Sequence, residues 1–309
     1  MKNVGFVVTA SCDLPASMLA NYKVTVLPVE VSSAQGVKVS NRTISELSQF
    51  YAEPQPVFSE KIGISRQAFI DVICDKLIYE FDHLIILAPD ESFSSCLHIV
   101  REALFEFHHE IKQLRAQASI FLPFKVRVVE SRQILTGYGV SLYEALRLRH
   151  EKAQNADQVK QHLDEFKTNI KTFMLPGLKH PELVRSPFRL SWLELKKLKI
   201  SGKHPILYFH PDEVTIGRMI DSKDRHINFF DFLYEQLSHS KLTNHIVNIS
   251  FAGSLSQLRI LQGFDDFHAD VKEKGGKLVH SMMSQTAASS LGNGAISVSF
   301  ACEPRKAMF

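Results

Sequence analysis

The chain has 309 residues, 45% of them hydrophobic, and a formal charge of +3 from 36 Lys and Arg against 33 Asp and Glu. That length suggests two domains at roughly 100–200 residues each, with a core large enough to need no disulfide or metal staple. The balanced charge argues against a polybasic nucleic-acid or membrane-surface protein, and no apolar run approaches the roughly 18 residues of an integral membrane segment.

Val4-Gly-Phe-Val-Val8, followed by Thr-Ala-Ser-Cys-Asp-Leu-Pro, reads as a buried strand and its C-terminal loop. Val24–Leu27 and Val29–Val31 form a second strand region. Phe69, Val72, Ile73, Lys76 and Leu77 have the spacing of an amphipathic helix, with Ser65 as its N-cap. Leu84–Leu87 is the clearest buried strand. A loop, Pro89-Asp-Glu-Ser-Phe-Ser-Ser95, leads to a long helix with Leu97, Val100, Leu104, Phe107 and Ile111 on one face. Lys125–Val129 is another strand, followed by a loop and a helix through Leu142, Ala145, Leu146 and Leu148. Alternating strands and helices predict an α/β unit with a mostly parallel sheet, whose ligands bind beyond the C-terminal strand ends.

The polar stretch Glu151–Asp157 marks the expected boundary between an N-terminal α/β domain, 1–155, and a C-terminal mixed αβ domain, 156–309. Val159, Leu163, Phe166 and Ile170 restart helical spacing. Pro205–Phe209 and Val214–Arg218 read as a hairpin. Helices are expected around 229–237 and 256–267, and strands at 246–251, 277–280 and 295–301. Gly292-Asn-Gly294 signals a sharp turn before the last strand.

The chemistry-bearing motifs are sparse. Ser92, Ser94 and Ser95 sit where a strand hands over to a helix, a place for helix caps or for an anion; Asp90 and Glu91 beside them weigh against the anion. Gly137-Tyr-Gly139 lacks the third glycine of a dinucleotide fingerprint, so a nucleotide-using enzyme is only a fallback. His108-His109-Glu110 is a solvated helix face, and the basic run Leu195–Ile200 reads as a solvated rim rather than a nucleic-acid contact. Cys12, Cys74, Cys96 and Cys302 are scattered, without metal spacing, and fit a reducing compartment. The opening Met1-Lys-Asn-Val-Gly-Phe6 has no signal-peptide pattern, so a cytoplasmic location is expected. There is no catalytic constellation and no cofactor motif. Twenty-two Phe against one Trp indicate dry interior surface, either a Phe-biased core or an apolar ligand tunnel.

The order of motifs resembles the DegV family, bacterial fatty-acid-binding proteins that include the acyl-carrying subunit of fatty-acid kinase. Ser11-Cys-Asp-Leu-Pro15 matches the end of the family's opening T-D-S-x-x-D-L-P. Val129-Glu-Ser-Arg132 with Gly137-Tyr-Gly139 is similar to its V-I-D-S-K and G-x-G segment. Glu182–Ser191 is similar to L-E-Y-L-R-x-G-G-R-I-S, with Arg185 and Arg189 kept and Pro187 and Phe188 in place of glycines. Lys203-His-Pro-Ile-Leu207 resembles N-I-K-P-I-L, and Gly292-Asn-Gly-Ala295 resembles G-P-G-A.

The resemblance implies a two-domain fold: a mostly parallel sheet flanked by helices, then a mixed αβ domain, with an acyl pocket in or between them. It implies a protein that binds a long-chain fatty acid and presents its carboxylate to a separate ATP-dependent kinase subunit of the dihydroxyacetone-kinase type, without catalysing the step itself. In the family, hydroxyls from two loops hold the carboxylate. The second loop maps onto Glu91-Ser-Phe-Ser-Ser-Cys96, which makes Ser94 the carboxylate-binding Ser, with Ser92, Phe93 and Ser95 around it. The first loop maps onto Lys61-Ile-Gly-Ile-Ser65. Lys61 stands for the family's Thr and Ile62 for its Ser, while Ser65 keeps the last Ser. Ser290-Leu-Gly-Asn-Gly294 replaces the family's H-T-G-P-G. A Lys61 ammonium reaching Ser94 would restore a charge-assisted bond. The alternative implied by these departures is a divergent member with another apolar ligand or a protein-interaction role.

Overall fold

The computed structural model describes residues 3–33, 36–52, 58–178, 190, 196, 200–211 and 213–303; over 31–33, 36–38 and 58–62 it describes the backbone only. Strand β1 (Val4–Thr9) is buried along nearly its whole length. Such a continuous apolar run suits a parallel strand covered on both faces. Helix α1 (Ala16–Asn21) returns the chain to β2 (Thr25–Leu27), which pairs parallel with β1.

Pro28 then ends the pairing, because proline has no N–H to give to a ladder. Strand β3 (Val29–Ser33) joins a separate antiparallel sheet with β4 (Gly36–Ser40) and β5 (Phe58–Gly63). The single strand region expected at 24–31 is therefore two strands in two sheets. Helix α2 (Ile44–Ala52) lies between β4 and β5.

Helix α3 (Arg66–Val72) starts at Ser65, whose Oγ accepts from the Ala68 N–H at 3.3 Å, as the sequence predicts. The chain then widens into a π-helical turn, Ile73–Leu77, before α4 (Ile78–Glu80). The buried positions are Phe69, Ile70, Ile73, Cys74, Leu77 and Ile78 rather than Val72 and Lys76. They step by four residues, and a wider turn keeps such a series on one face longer than 3.6 residues per turn would.

Strand β6 (His83–Ala88) is fully buried and lies between β1 and β7 (Lys125–Glu130), giving a parallel sheet of order β2-β1-β6-β7. The long helix expected after it is two, α5 (Cys96–Glu106) and α6 (His108–Gln117), broken at Phe107 with φ −91° and ψ 6°. Helix α7 (Leu135–His150) begins earlier than expected and takes in Gly137 and Gly139. Helix α8 (Ala156–Phe166) is held by a capping box between Asn155 and Gln158, and it packs on α7, β6 and β7.

The remaining chain forms one mixed sheet of order β10-β9-β8-β13-β11-β12. Its strands are β8 (Ile170–Leu175), β9 (His204–His210), β10 (Glu213–Ile220), β11 (Leu242–Phe251), β12 (Lys277–Met282) and β13 (Ile296–Cys302). Only β11 and β12 run parallel. Helices α9 (Arg225–Ser238), α10 (Leu255–Arg259), α11 (Phe264–Glu273) and α12 (Gln285–Leu291) connect them. The helix expected over 256–267 is split into α10 and α11, the second entered through Gly263 at φ 85°.

Strand alternation gives this sheet two unlike faces. Phe173, Val247, Ile249, Val298 and Phe300 pack in one cluster with Phe229, Phe230 and Phe232 of α9 and Phe264 and Phe267 of α11. The next residues along each strand, Thr172, Asn248, Ser250, Ser297 and Ser299, are buried polar groups on the opposite face. Helix α7 lies on that polar face, contacting β8, β11 and β13. A Cβ at Gly137 would stand 2.3 Å from Thr172 Oγ1, and one at Gly139 would stand 2.6 Å from the Asp13 carbonyl oxygen. The two glycines thus serve close helix-to-sheet packing. Much of the Phe excess is packing in the α9–α11 layer.

Candidate functional site

The parallel strands β1, β6 and β7 end at one edge, where the loops after β1 and β6 and the start of α7 gather. After β6, the Asp90 N–H donates to the Gln133 carbonyl at 3.0 Å, and the Asp90 carbonyl accepts from Phe93 N–H and Ser94 N–H at 3.0 and 3.1 Å. This tight turn buries Phe93 and Ser94 and leaves Ser92 and Ser95 exposed. The Ser94 Oγ accepts from the Cys96 N–H at 3.2 Å. A hydroxyl has one donor and two acceptor sites, so that bond leaves the Ser94 O–H to donate.

Ser92 turns back on its own loop. Its N–H and its Oγ both donate to Asp90 Oδ1, at 2.9 and 2.5 Å. Asp90 is fully buried, and its Oδ2 has no hydrogen-bond partner among the described residues. The thiol of Cys96, one residue past Ser95, is pushed up to about 12 by burial and so stays protonated at neutral pH.

The β5–α3 connection stands against this loop. A Cβ added to Gly63 would lie 3.6 Å from Ser95 Oγ. The two segments mapped as head-group loops are therefore neighbours in space, although about thirty residues separate them in the chain. Ser65 lies here but its Oγ caps α3. Lys61 and Ile62 lie on β5, and their side chains fall outside the described residues, as does the whole of Arg185 with Pro187, Phe188 and Arg189.

Below the loops, Phe93 and Phe69 are buried in one apolar cluster that draws on both halves of the chain. It includes Ile86 and Ala88 of β6, Met174 of β8, Leu207 and Phe209 of β9, and Ala287, Ala288 and Leu291 of α12. A narrow slit between α3 and α5, lined by Phe69, Ile73, Cys74 and Leu104 among others, has a volume of only about 10 Å³. That is barely the room one water needs. Phe69 and Phe93 are thus packed side chains.

The sequence gives no hint of the polar latch beside the loops. Asp13 is fully buried, and its Oδ1 accepts from Arg42 Nη1 at 2.8 Å and from the Ser284 N–H at 3.0 Å. Its Oδ2 accepts from Ser250 Oγ at 2.7 Å. Arg42 Nη2 also donates to the carbonyls of Leu14 and Met282, at 3.1 and 3.2 Å. Arg42 has a left-handed backbone, φ 59°, which a side chain adopts at some cost. Tyr51 of α2 donates to the Met283 carbonyl at 2.7 Å, and Gln285 donates to Glu46 at 2.9 Å. These bonds tie the β1 loop and α2 to β12 and α12, and so fix one wall of the apolar cluster. Asp13 lies in the Ser11–Pro15 motif, whereas nothing in the Asn41-Arg-Thr43 context singles out Arg42.

Further along, Asn248 Nδ2 donates to the carbonyls of Asp13 and Thr136, at 2.7 and 3.0 Å. Thr136, Ser297, Ser299, Thr172 and Gln133 form a continuous chain of buried side-chain hydrogen bonds under α7. Their mutual satisfaction marks them as structural. The Gly292-Asn-Gly294 turn takes φ values of 87° and 74° at its glycines, as expected of a sharp reversal. The Gly294 carbonyl accepts from Arg225 Nη2 at 3.1 Å. Among the described residues no helix is long and apolar enough to cross a membrane.

Comparison with known proteins gives a consistent picture. The DegV family model matches residues 3–303. A DegV domain-containing protein of Xanthomonas axonopodis pv. citri is 23% identical over 310 residues, covering 97% of this chain and 98% of that one. Among solved structures, a DegV lipid-binding protein from Thermotoga maritima superposes with a TM-score of 0.73 at 18% identity, covering 99% of this chain and 100% of the other. DegV of Bacillus subtilis, a fatty-acid-binding protein, gives 0.71 at 16% identity, covering 98% and 100%. With the family model matched over residues 3–303 and the fold shared over 98–99% of its length, the chain belongs to the DegV family.

Proposed function

We propose that this protein binds a long-chain fatty acid, with the carboxylate at Ser94 and the acyl chain in the apolar region between the parallel sheet and its helices. The observation that carries this reading is the meeting of two loops distant in sequence, Gly63 against Ser95, over an apolar cluster that includes Phe69 and Phe93. Ser94 supplies a hydroxyl donor at that place, and Lys61 comes in on the strand that ends at Gly63. Burial of the tail would supply most of the affinity, at roughly 0.8 kcal/mol per CH₂. Lipid-binding and fatty-acid-binding members of the same fold support the ligand class.

On this reading the protein is a ligand-binding subunit acting in the cytoplasm. It presents the carboxylate to a separate ATP-dependent kinase subunit of the dihydroxyacetone-kinase type, and needs no metal or cofactor of its own. We further propose two units, divided near the α7–α8 connection at 155 and 156. Helix α8, the first element after that boundary, packs back on β6 and β7 of the first unit. Arg185 is proposed to serve the head group as well.

A second reading is favoured by one observation, the buried Asp90 Oδ2 in the Ser94 loop, which has no partner among the described residues. A carboxylate acceptor there suits a head group that donates a hydrogen bond, such as an alcohol or amide, better than a second carboxylate. Mass spectrometry of lipid extracted from denatured protein separates the two. A stoichiometric free fatty acid supports the first, and a neutral acyl lipid supports the second. Protein that carries neither, and fails to take up a fluorescent fatty acid after delipidation, defeats both.

A further inference from the structure

A groove of about 550 Å³, to which no residue of the Ser94 loop contributes, runs along an edge of the C-terminal sheet that no other strand covers among the described residues. Strand β12 is the last strand of that sheet, and all six of its residues, Lys277 to Met282, line the groove. The opposite walls come from the start of the chain and from α2, through Leu14, Met18, Tyr22, Ile44 and Leu47. The groove is therefore a channel with a strand edge as its floor and apolar side chains as its sides.

Two hydrogen bonds fix which backbone groups face it. The Met283 N–H donates to the Phe251 carbonyl, so the odd-numbered residues of β12 bond to β11. The Met282 carbonyl accepts from Arg42 Nη2 at 3.2 Å, so the even-numbered carbonyls point away from β11. By the alternation of a parallel ladder, the N–H and C=O groups of Leu278 and His280 also point into the groove. Natural proteins usually blunt such an edge, because it is a template for another strand. Here residues of α1 and α2 form the facing wall of the groove.

The charged side chains among the described lining residues are the cations Lys277 and Arg42, with no Asp or Glu. Arg259 Nη2 lies 3.3 Å from His280 Nε2 at the side of the groove, and Glu46 of α2 is engaged by Gln285. Asp13 neutralises Arg42 from beneath, which leaves Lys277 and Arg259 as the cations available to a partner. We propose that this edge is a docking site for an extended segment of a partner protein with an apolar centre and acidic flanks, which adds as a strand to β12. Main-chain bonds to Leu278 and His280 would give affinity, and the two cations would choose the partner.

The test uses the intact protein and a fluorescein-labelled heptapeptide, Asp-Glu-Val-Leu-Val-Glu-Asp. The expected result is saturable binding by fluorescence anisotropy, weakened by salt, with slowed amide exchange at Leu278 and His280. Methylating alternate peptide nitrogens removes strand bonding without touching the protein, and should weaken binding about tenfold or more. Lys277→Glu, at an exposed position, should also weaken it while leaving fatty-acid uptake unchanged. Lack of saturable binding at millimolar peptide, equal binding of the methylated peptide, or protection at amides elsewhere would overturn the proposal.

Discussion

The Asp13–Arg42 pair offers the sharpest test of how the two halves of the chain are joined. In Asp13→Ala the Arg42 guanidinium stays buried but loses its Nη1 partner, and its Nε already has none. Ser250 Oγ and the Ser284 N–H lose their acceptor as well. Removing one partner of a buried ion pair costs about 3–5 kcal/mol, because the other charge is left uncompensated. With a urea m-value near 3 kcal/mol/M for a chain of this size, the midpoint should fall by about 1–1.7 M, read by circular dichroism. Replacing both groups with apolar ones, Asp13→Leu with Arg42→Met, removes the stranded charge and should cost less than Asp13→Ala alone. A loss under about 1 kcal/mol in Asp13→Ala, or strictly additive single effects, would refute the view of this pair as a coupled buried latch.

Other expectations concern packing, protonation and ligand. Gly139→Ala should destabilise by about 1–3 kcal/mol in thermal or urea unfolding, even though Ala is the better helix former, because its Cβ meets the Asp13 carbonyl; a stabilised variant would contradict the close approach of α7 to the sheet. His226 is held down to about 4 by burial and then by Arg225, so the folded protein keeps it neutral while the unfolded chain protonates it near 6.5. Its contribution to stability is therefore present above pH 6.5 and is lost as pH falls from there towards 4; His226→Gln should flatten the stability–pH curve in that window by about 1–2 kcal/mol, less than the full shift because solvent screens the half-buried ring. Ser94→Ala should weaken binding of a fluorescent fatty acid about tenfold, one hydrogen bond to a charged group, with the fold intact by circular dichroism. Unchanged affinity would remove Ser94 from the head-group site.

Much of the fold was legible because local physics decides it. The β1 and β6 runs had to be buried strands, Ser65 had to cap the helix after it, and the glycines at 292 and 294 had to turn the chain. Motif order sufficed for the family, and it pointed to the loop around Ser94. Other features depended on which residues meet. Pro28 divides an apparently single strand between two sheets, and the four-residue step of Ile73 and Leu77 becomes visible as a π turn only when the buried face is seen. In sequence Gly137-Tyr-Gly139 is an incomplete dinucleotide fingerprint, whereas in the fold its glycines let α7 approach the polar face of the β8–β13 sheet.

The sequence by itself determined the alternation of strands and helices, the caps and turns, and the chemistry available at Ser92, Ser94 and Ser95, since these follow from propensity, periodicity and side-chain type. Tertiary structure alone decided the pairing of Asp13 with Arg42, the approach of Gly63 to Ser95 and, among the described residues, the unpartnered Asp90 Oδ2 and the uncovered edge of β12. Each joins or exposes groups far apart in the chain. Burial and hydrogen-bond completion are properties of the assembled layers, and no local pattern of residues encodes them.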